Sequence, residues 1–491
     1  MVYAVNLQYV FSIFDKIPAR FNIGIMLFMA SFVSYMLRVN FSIIIIKMSA
    51  DTNATTHQST FINNSQLPAF NESTDIYKKH HIEDEHYAWD KKDQGLLLSA
   101  YFYGYIFPNL LGGSLADLYG GRKVIFITIF LSAFITSISP FTADNNFIYM
   151  FIMRFILGLL GGCLYPVEHH LISKWSPVEE KGKFVSTLLG GIFGTLITWP
   201  VTGFLSEHYG WKFGFYVPAA FAFIISIFWL YFVHDSPKVH PRISEKEREF
   251  IEKSLGTSSK KKTWPPMNKV LTSLPFYSLL LLHFGGTFGL FFFLTAAPKF
   301  MSEVLKFNLT EAGFLSSMPY LARLLFGFVF GSIGDTLKQK NILSTTAIRK
   351  SFCVFSHIIP GVFLIILCLV GYDPYICVAI MTLSLGFNGA ATHTNLQNSQ
   401  DLAPNYAGTL YGMINFVGTM SGFISPTIVA YFTQENSTMK EWQWIFIIGA
   451  CVYIIPGIFF IIFGSGEVQK WNNLDEDKGQ SNAKSKSDNT P

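Results

Sequence analysis

Twelve apolar stretches, separated by short polar or glycine-bearing segments, run the length of the chain, near 21–48, 93–116, 123–141, 147–171, 184–206, 213–234, 274–297, 312–334, 350–371, 374–398, 408–432 and 441–464. A helix needs roughly 20 mostly apolar residues to cross about 30 Å of hydrocarbon, and these stretches fit that length. The pattern predicts an all-α membrane protein with twelve transmembrane helices. It divides the chain into a terminus 1–20, a six-helix half 21–234 containing a polar loop 49–92, a central loop 235–273, a second six-helix half 274–464 and a tail 465–491.

Charge placement orients this arrangement. Lys16, Arg20, Arg122, Lys123, Lys174, Lys181, Lys183, Lys338, Lys340, Arg349 and Lys350 all fall on one side of the predicted membrane. Basic residues in short loops mark the cytosolic face, so both termini belong there; Lys212 and Lys299, on the other face, are exceptions. Glycosylation sequons at Asn53, Asn63, Asn71, Asn308 and Asn436 fall on the opposite, non-cytosolic face, whereas Asn40, inside the first span, is expected to be buried and unmodified.

Composition agrees, since 50% of residues are hydrophobic and only 14% charged, a balance that no soluble core explains. The net charge of +4 is spread by topology rather than gathered into a patch, which argues against a nucleic-acid partner. Lys260, Lys261 and Lys262 in the central loop read as solvated charge near anionic head groups. All five cysteines lie within spans and no disulfide is expected. Residues 2–14 are too short and interrupted for a signal peptide and read as an interfacial helix.

After the second stretch comes Gly113-Ser-Leu-Ala-Asp117-Leu-Tyr-Gly120-Gly-Arg122-Lys123, and after the eighth a weaker echo, Gly331-Ser-Ile-Gly-Asp335-Thr-Leu-Lys338. The first resembles the loop signature of the major facilitator superfamily, and the pair implies that fold, two six-helix halves repeating each other. Gly113 and Gly120 would allow close approach, and Asp117 with Arg122 and Lys123 would form charge-assisted bonds at helix ends, a conformational latch with Asp335 as its counterpart. Glycines at 190, 191, 194 and 203, and at 408, 412, 418 and 422, are small-residue faces for helix packing. Pro200 and Pro426 occupy matching places in the two halves and mark bends.

Ionisable groups inside spans are costly in lipid unless they face a partner or an aqueous cavity. Arg38, Arg154 and Arg323 lie near the middle of their spans. Together they predict an electropositive central cavity that holds a carboxylate or phosphate through bidentate contacts. The alternative for Arg38 and Arg154 is pairing with a helix carbonyl for structure, and a structural role is weighed equally with the cavity for Arg323. Glu168 is the one carboxylate well inside a span and, with His169, is a candidate proton site; an exposed helix end is its competing reading. His283, His357 and His393 read as structural, and Asn388, Asn395, Gln397 and Asn398 give the tenth span a polar face, from which Asn398 is carried as a substrate contact.

Several further segments resemble one branch, the anion:cation symporters that include sialin, the vesicular glutamate transporters and the sodium-dependent phosphate cotransporters. They are Leu37-Arg38-Val-Asn40-Phe-Ser42, Tyr103-Gly-Tyr105, the Arg154 segment, Ser173-Lys-Trp175-Ser-Pro177-Val-Glu179, Leu343 to Lys350, Asp401-Leu-Ala-Pro404-Asn-Tyr406, Gly412 to Pro426, Glu441-Trp442-Gln443 and Gly464 to Trp471. The resemblance implies that Arg38 and Arg154 engage the anion and that His169 stands at the family's fourth-span histidine. Where sialin-like members carry two glutamates associated with proton coupling, this chain has Leu157 and Gly161; Gly286 stands at the seventh-span arginine of the glutamate carriers. The histidine of the family's Asn-His-Leu-Asp stretch is Ser399 here, and the arginine before its tyrosine is Asn405.

The expectation is a monomeric secondary carrier of an organic or inorganic anion, sialin-like or phosphate-type, without a cofactor beyond a coupling ion, H+ or Na+. An uncoupled anion carrier, motivated by Leu157 and Gly161, and a non-transporting sensor of the same fold are the alternatives. No nucleophile–base set or metal-ligand cluster points to an enzyme. With no acidic dileucine signal in residues 1–20, the plasma membrane is favoured over a lysosomal or vesicular membrane.

Overall fold

A computed structural model describes residues 17–49, 86–177, 180–255, 265–370 and 373–472. The sequons at Asn53, Asn63 and Asn71 and the lysines at 260–262 lie outside the described residues. Twelve long helices follow the twelve apolar stretches: α1 Ala19–Met48, α2 Lys91–Tyr119, α3 Gly121–Asn145, α4 Phe147–Trp175, α5 Lys181–His208 and α6 Phe213–Phe232 in the first half. The second half holds α8 Leu274–Glu303, α9 Leu309–Gln339, α10 Thr345–Leu369, α11 Pro374–Leu402, α12 Ala407–Phe432 and α13 Met439–Phe463, and a cytosolic-loop helix, α7 Glu245–Leu255, lies between the halves. Eleven of the twelve are long and apolar enough to cross a membrane; α2 is the more polar one, because Tyr101, Tyr103, Tyr105, Pro108 and Asn109 interrupt it. Among the described residues there is no strand.

The helices outrun the apolar stretches by a few residues because polar side chains just beyond them cap the free N–H groups. Asp90 accepts from Asp93 N at 2.7 Å and Ser344 from Ala347 N at 3.2 Å. Asn308 and Glu311 form a reciprocal capping box on α9, and Thr438 and Glu441 another on α13. Gly120, at φ +86°, ends α2 and starts α3 in a conformation that disfavours a side chain, and a Cβ there would press on the Asp235 carboxylate at 2.7 Å. Three spans are locally rewound: α5 through a 3₁₀ turn at Thr187–Leu189, α10 through a π turn at Val354–Ile358 and α11 through a 3₁₀ turn at Gly389–His393.

The two halves meet at the face opposite the basic loops, through two matching seams. On one, Gly95 of α2 lies against α12, where a Cβ would stand 2.5 Å from Ala430 Cβ and 3.0 Å from Pro426 O. On the other, Gly313 of α9 lies against α5, with a Cβ 2.4 Å from Trp199 O, and Gly203 of α5 lies against α9, with a Cβ 2.5 Å from Leu309 O. Pro200 and Pro426, matched in the sequence, therefore both sit at backbone-to-backbone crossings between halves. Side-chain bonds reinforce the seams: Lys91 Nζ–Glu303 Oε1 2.7 Å, Lys299 Nζ–Gln94 Oε1 3.1 Å and Thr310 N–Glu207 Oε2 2.8 Å.

At the basic face the halves part. One buried cluster, around Tyr101, Phe102, Trp199, Phe291, Phe300 and Trp442, draws on both halves. The clusters nearer the basic loops each stay within one half, around Leu27, Trp175 and Trp229 in the first and Phe276, Leu402 and Tyr406 in the second. Gly113, Gly182, Gly408 and Gly412 have open space where a Cβ would go. The conformation is open toward the basic face and shut at the other.

α7 is tied to the first half, since Glu247 accepts from the backbone N–H of Ala19 at 3.0 Å and of Arg20 at 3.1 Å, capping α1 from 228 residues away. Arg20 also donates to Glu180 at 3.0 Å. The segment after α13 packs back on the second half, Gln469 N donating to Leu402 O at 2.8 Å.

Candidate functional site

Arg38 is carried into the middle of the bundle by α1 and is only 5% exposed. Five rings surround its guanidinium, with centroids 4.7 Å (Phe102), 4.8 Å (Phe291), 5.1 Å (Tyr101) and 5.2 Å (Tyr35 and Tyr105) from Cζ. Four come from the first half and Phe291 from the second, so the cage straddles the interface. Ring faces stabilise a cation without consuming its N–H groups. Nε and Nη2 of Arg38 are indeed buried with no hydrogen-bond partner. A buried guanidinium with free donors is costly until an acceptor arrives.

Arg154, 4% exposed on α4, lies beside it. Its Cζ is 4.5 Å from the Phe41 ring and 5.4 Å from Tyr101, and its Nη2 donates to Arg38 O at 3.4 Å. The carbonyl pairing weighed from sequence is thus present for Arg154, yet its Nε remains without a partner. Trp199 and Tyr320, in edge contact at 5.2 Å, close the site toward the far face, Trp199 Nε1 donating to Ser42 Oγ at 2.9 Å and Tyr320 to Leu290 O at 2.6 Å.

Arg323 does not join this pair as an equal. It is half-buried on α9 and its Nε donates to Asn388 Oδ1 at 3.1 Å, a bond that already occupies part of its fork. Asn398 lies apart from the arginine pair: it is fully buried near the basic end of α11, where its Nδ2 donates to Ser465 O at 2.8 Å and braces the segment after α13, while its Oδ1 has no hydrogen-bond partner. The polar face of α11 serves the interior of its own half, with Asn395 Nδ2 3.2 Å from His283 Nδ1 and Asn388 Nδ2 donating to Ser356 O at 3.1 Å.

Glu168 is fully buried, not at an exposed helix end. Its two oxygens accept from Ser31 Oγ on α1 at 3.0 and 2.8 Å. His169, the next residue, is exposed toward the basic face.

The signature loops differ in detail from the expected latch. Asp117 meets His170 of α4 at 3.3 Å, and Asp335 meets His393 of α11 at 3.7 Å, equivalent pairings in the two halves. Both aspartates are 65% exposed. Arg122 bonds elsewhere, its N–H to Asp235 Oδ1 at 2.8 Å and its guanidinium to Leu230 O. Lys123 is exposed, and Gly113 supports no close approach in this conformation, where a Cβ would meet nothing within 4 Å. Among the glycine clusters, Gly190 and Gly194 do pack on α1, with Cβ positions 2.1 Å from Phe28 O and 2.4 Å from Phe32 O, whereas Gly408 and Gly412 face open space.

Sequence reasoning passed over three groups. Arg349, taken as a topology marker, is 2% exposed and bonded to Asp401 at 2.6 and 3.2 Å. Lys299, on the far face as expected, and Glu303 tie α8 to Gln94 and Lys91 of α2, a far-face clamp, and Tyr101 contacts both cavity arginines. The i,i+4 spacing of Tyr101 and Tyr105 was the available signal for the last. Asn40, as expected, is buried, its amide bonded to Gly214 O at 3.2 Å, and the five cysteines are free. Asn308 and Asn436 are exposed, Asn308 serving also as the α9 cap.

A family model for the Major Facilitator Superfamily matches residues 27–426. The chain belongs to the major facilitator superfamily. Its curated relatives place this facilitator in the branch expected from its motifs. It is 34% identical to sialin of Homo sapiens over 92% of its own length and 90% of that protein. It is 33% identical to a putative inorganic phosphate cotransporter of Drosophila melanogaster, over 94% of its length and 87% of the relative's, and 31% to vesicular glutamate transporter 2 of Homo sapiens, over 94% and 76%. In fold the facilitator matches a D-xylose–proton symporter with TM-score 0.64 at 14% identity, covering 91% of this chain and 99% of that one. It also matches the xylose transporter XylE of E. coli, in a partially occluded inward open conformation, with TM-score 0.61 at 14% identity over 90% and 97% of the two chains. A multi-pass membrane transporter family, not an enzyme family, accounts for most of the chain.

Proposed function

We propose that this facilitator is a secondary active transporter of a small organic or inorganic anion, of the sialin-like or phosphate type, working as a monomer by alternating access. The observation that carries the reading is the pair Arg38 and Arg154, buried at the interface of the halves with Nε and Nη2 of one and Nε of the other unpartnered. An anionic ligand supplies the missing acceptors, and its charge offsets two cations that no carboxylate among the described residues pairs with. The halves then rock about it, with the Asp117 and Asp335 loops, Gly113, Gly120, Arg122 and Lys123 at the moving basic face. The plasma membrane is the favoured location.

Glu168 is the proposed proton site, with His169 at its mouth. A carboxylate whose contact is a single serine hydroxyl has far less to stabilise its charge than one paired with a base, and H+ is the coupling ion this geometry favours over Na+. The substitution of Leu157 and Gly161 at the family's acidic positions supports the alternative, an uncoupled carrier.

Uptake into liposomes of labelled phosphate, sialic acid, glutamate and urate, under an imposed proton or sodium gradient, tests both readings. Arg38→Ala and Arg154→Ala should each abolish uptake of the anion carried; normal uptake overturns the site. Glu168→Gln should retain counterflow and lose proton-driven accumulation. Counterflow without accumulation in the unaltered protein selects the uncoupled carrier.

A further inference from the structure

The geometry points to Tyr101 as a positioning residue for the anion site, wedged by its hydroxyl against Gly161 so that one ring sets the orientation of both arginines. The inference rests on the anion-transport reading. Tyr101 is 2% exposed, and among the described rings it alone stands over both guanidiniums, at 5.1 Å from Arg38 Cζ and 5.4 Å from Arg154 Cζ. Tyr105 stacks on it at 5.9 Å and Phe102 meets its edge at 5.7 Å, so the ring is held from its own helix.

What brings the ring there is backbone contact between α2 and α4. A Cβ at Gly158 would lie 1.9 Å from Tyr101 O, one at Gly162 2.4 Å from Tyr105 O and one at Gly104 2.1 Å from Phe155 O. Glycine at these three positions lets the helices touch. Gly161 does something different. Its Cβ would stand 2.2 Å from the Tyr101 hydroxyl oxygen and 3.2 Å from Cζ, so the phenol occupies the volume of a side chain at 161. The adjoining pocket, lined by Ser34, Thr128, Ser132 and Leu157 among others, measures about 10 Å³. That is no more than a water molecule's space, so this pocket does not accommodate a displaced phenol. Any side chain at 161 must therefore move the ring that both arginines share.

The consequence is a separation of affinity from turnover. Two guanidiniums held in one orientation present their free N–H groups to one ligand at lower ordering cost, which acts on binding. The test uses reconstituted full-length protein and the anion, among phosphate, sialic acid, glutamate and urate, that the unaltered protein carries. Gly161→Ala should raise KM about tenfold with kcat within about twofold, the scale of losing a desolvated cation–π contact. Gly161→Ala with Tyr101→Phe, which removes the obstructing hydroxyl and keeps the ring, should bring KM back to within about threefold. Tyr101→Leu should raise KM as much as Gly161→Ala, and Tyr101→Phe much less; this pair decides the matter if Gly161→Ala does not fold. A KM unchanged in both Gly161→Ala and Tyr101→Leu, or a defect in Gly161→Ala that Tyr101→Phe does not relieve, overturns the inference. Arg38→Ala runs alongside: loss of uptake there with a flat Tyr101 and Gly161 series overturns this inference alone, whereas normal uptake there, or no carriage of any of the four anions, overturns the anion reading and this one with it.

Discussion

The far-face clamp offers the most direct handle on the conformational equilibrium. Lys91 of α2 and Glu303 of α8 approach to 2.7 Å with side chains 24% and 18% exposed, and Lys299, nearly buried, stands 4.0 Å from the same carboxylate while holding Gln94 of α2. A fully exposed pair is worth about 0.2–1 kcal/mol and breaking a fully buried one costs about 3–5 kcal/mol. At one-fifth exposure a contribution of about 1–2 kcal/mol follows, which shifts a two-state population about 5–30-fold. The two halves of the pair are not equivalent. Lys91→Ala leaves Glu303 with Lys299, whereas Glu303→Ala leaves two ammoniums facing each other, one of them buried against a neutral amide. Glu303→Ala should therefore open the far face more than Lys91→Ala does, and the double variant should be less than additive.

Spin labels at Asn145 and Tyr375, exposed on the far face of the two halves, report the change as a distance distribution once the native cysteines are replaced. The expected outcome is a longer-distance population growing in the order unaltered, Lys91→Ala, Glu303→Ala. Raising salt should move the unaltered protein the same way, because a partly exposed pair is screened. Identical distributions in folded single variants, or a larger effect from Lys91→Ala, would refute the reasoning.

Two other expectations follow from single contacts. Gly313→Ala places a methyl 2.4 Å from Trp199 O, a backbone atom that cannot swing aside, so it should favour far-face opening by the same label distances, while Gly412→Ala, which meets nothing within 4 Å, should leave this conformation's distances unaltered. His234, just beyond α6, is half-buried; that burial, with His240, Arg122 and Arg242 nearby, pushes its pKa from an ordinary 6.5 down to about 4. The unfolded chain binds the extra proton between those values, so stability should rise with pH from about 4 to 6.5 and level off above; thermal unfolding at pH 5 and 7.5 should show this slope, and His234→Asn should flatten it.

Twelve helices were legible because lipid demands long apolar runs, and Arg38 and Arg154 because a charge within such a run is conspicuous. Helix ends were less so, since α2, α9 and α10 continue into polar residues held by caps that composition does not announce. The contacts of Asn398 were not legible, because polarity in a span shows that a residue is satisfied by something, not by what. Its partner is a carbonyl 67 residues on, in a segment that packs only after α13 is placed. Lys91 and Glu303 were invisible because charges at helix ends are ordinary until two of them, 212 residues apart, are brought together. Tyr101 needed the α2–α4 contact before its relation to Gly161 existed.

The unused glycines complete the argument for a second conformation. Gly95, Gly203 and Gly313 meet backbone or methyl groups across the far-face seams, and there the entropic cost of glycine in a helix is offset by contact between halves. Gly113 near the other end of α2, Gly182 near the start of α5, and Gly408 and Gly412 at the start of α12 incur the same cost and meet nothing. α2, α5 and α12 thus carry glycines toward the basic end that meet nothing, while their far ends make the close contacts. On the proposed cycle the basic ends close when the far ends part, and the cost at these four positions is offset only then. Larger residues there should leave the basic-open state intact and prevent its counterpart from forming, so that an anion reaching Arg38 from the basic face is bound but not carried across.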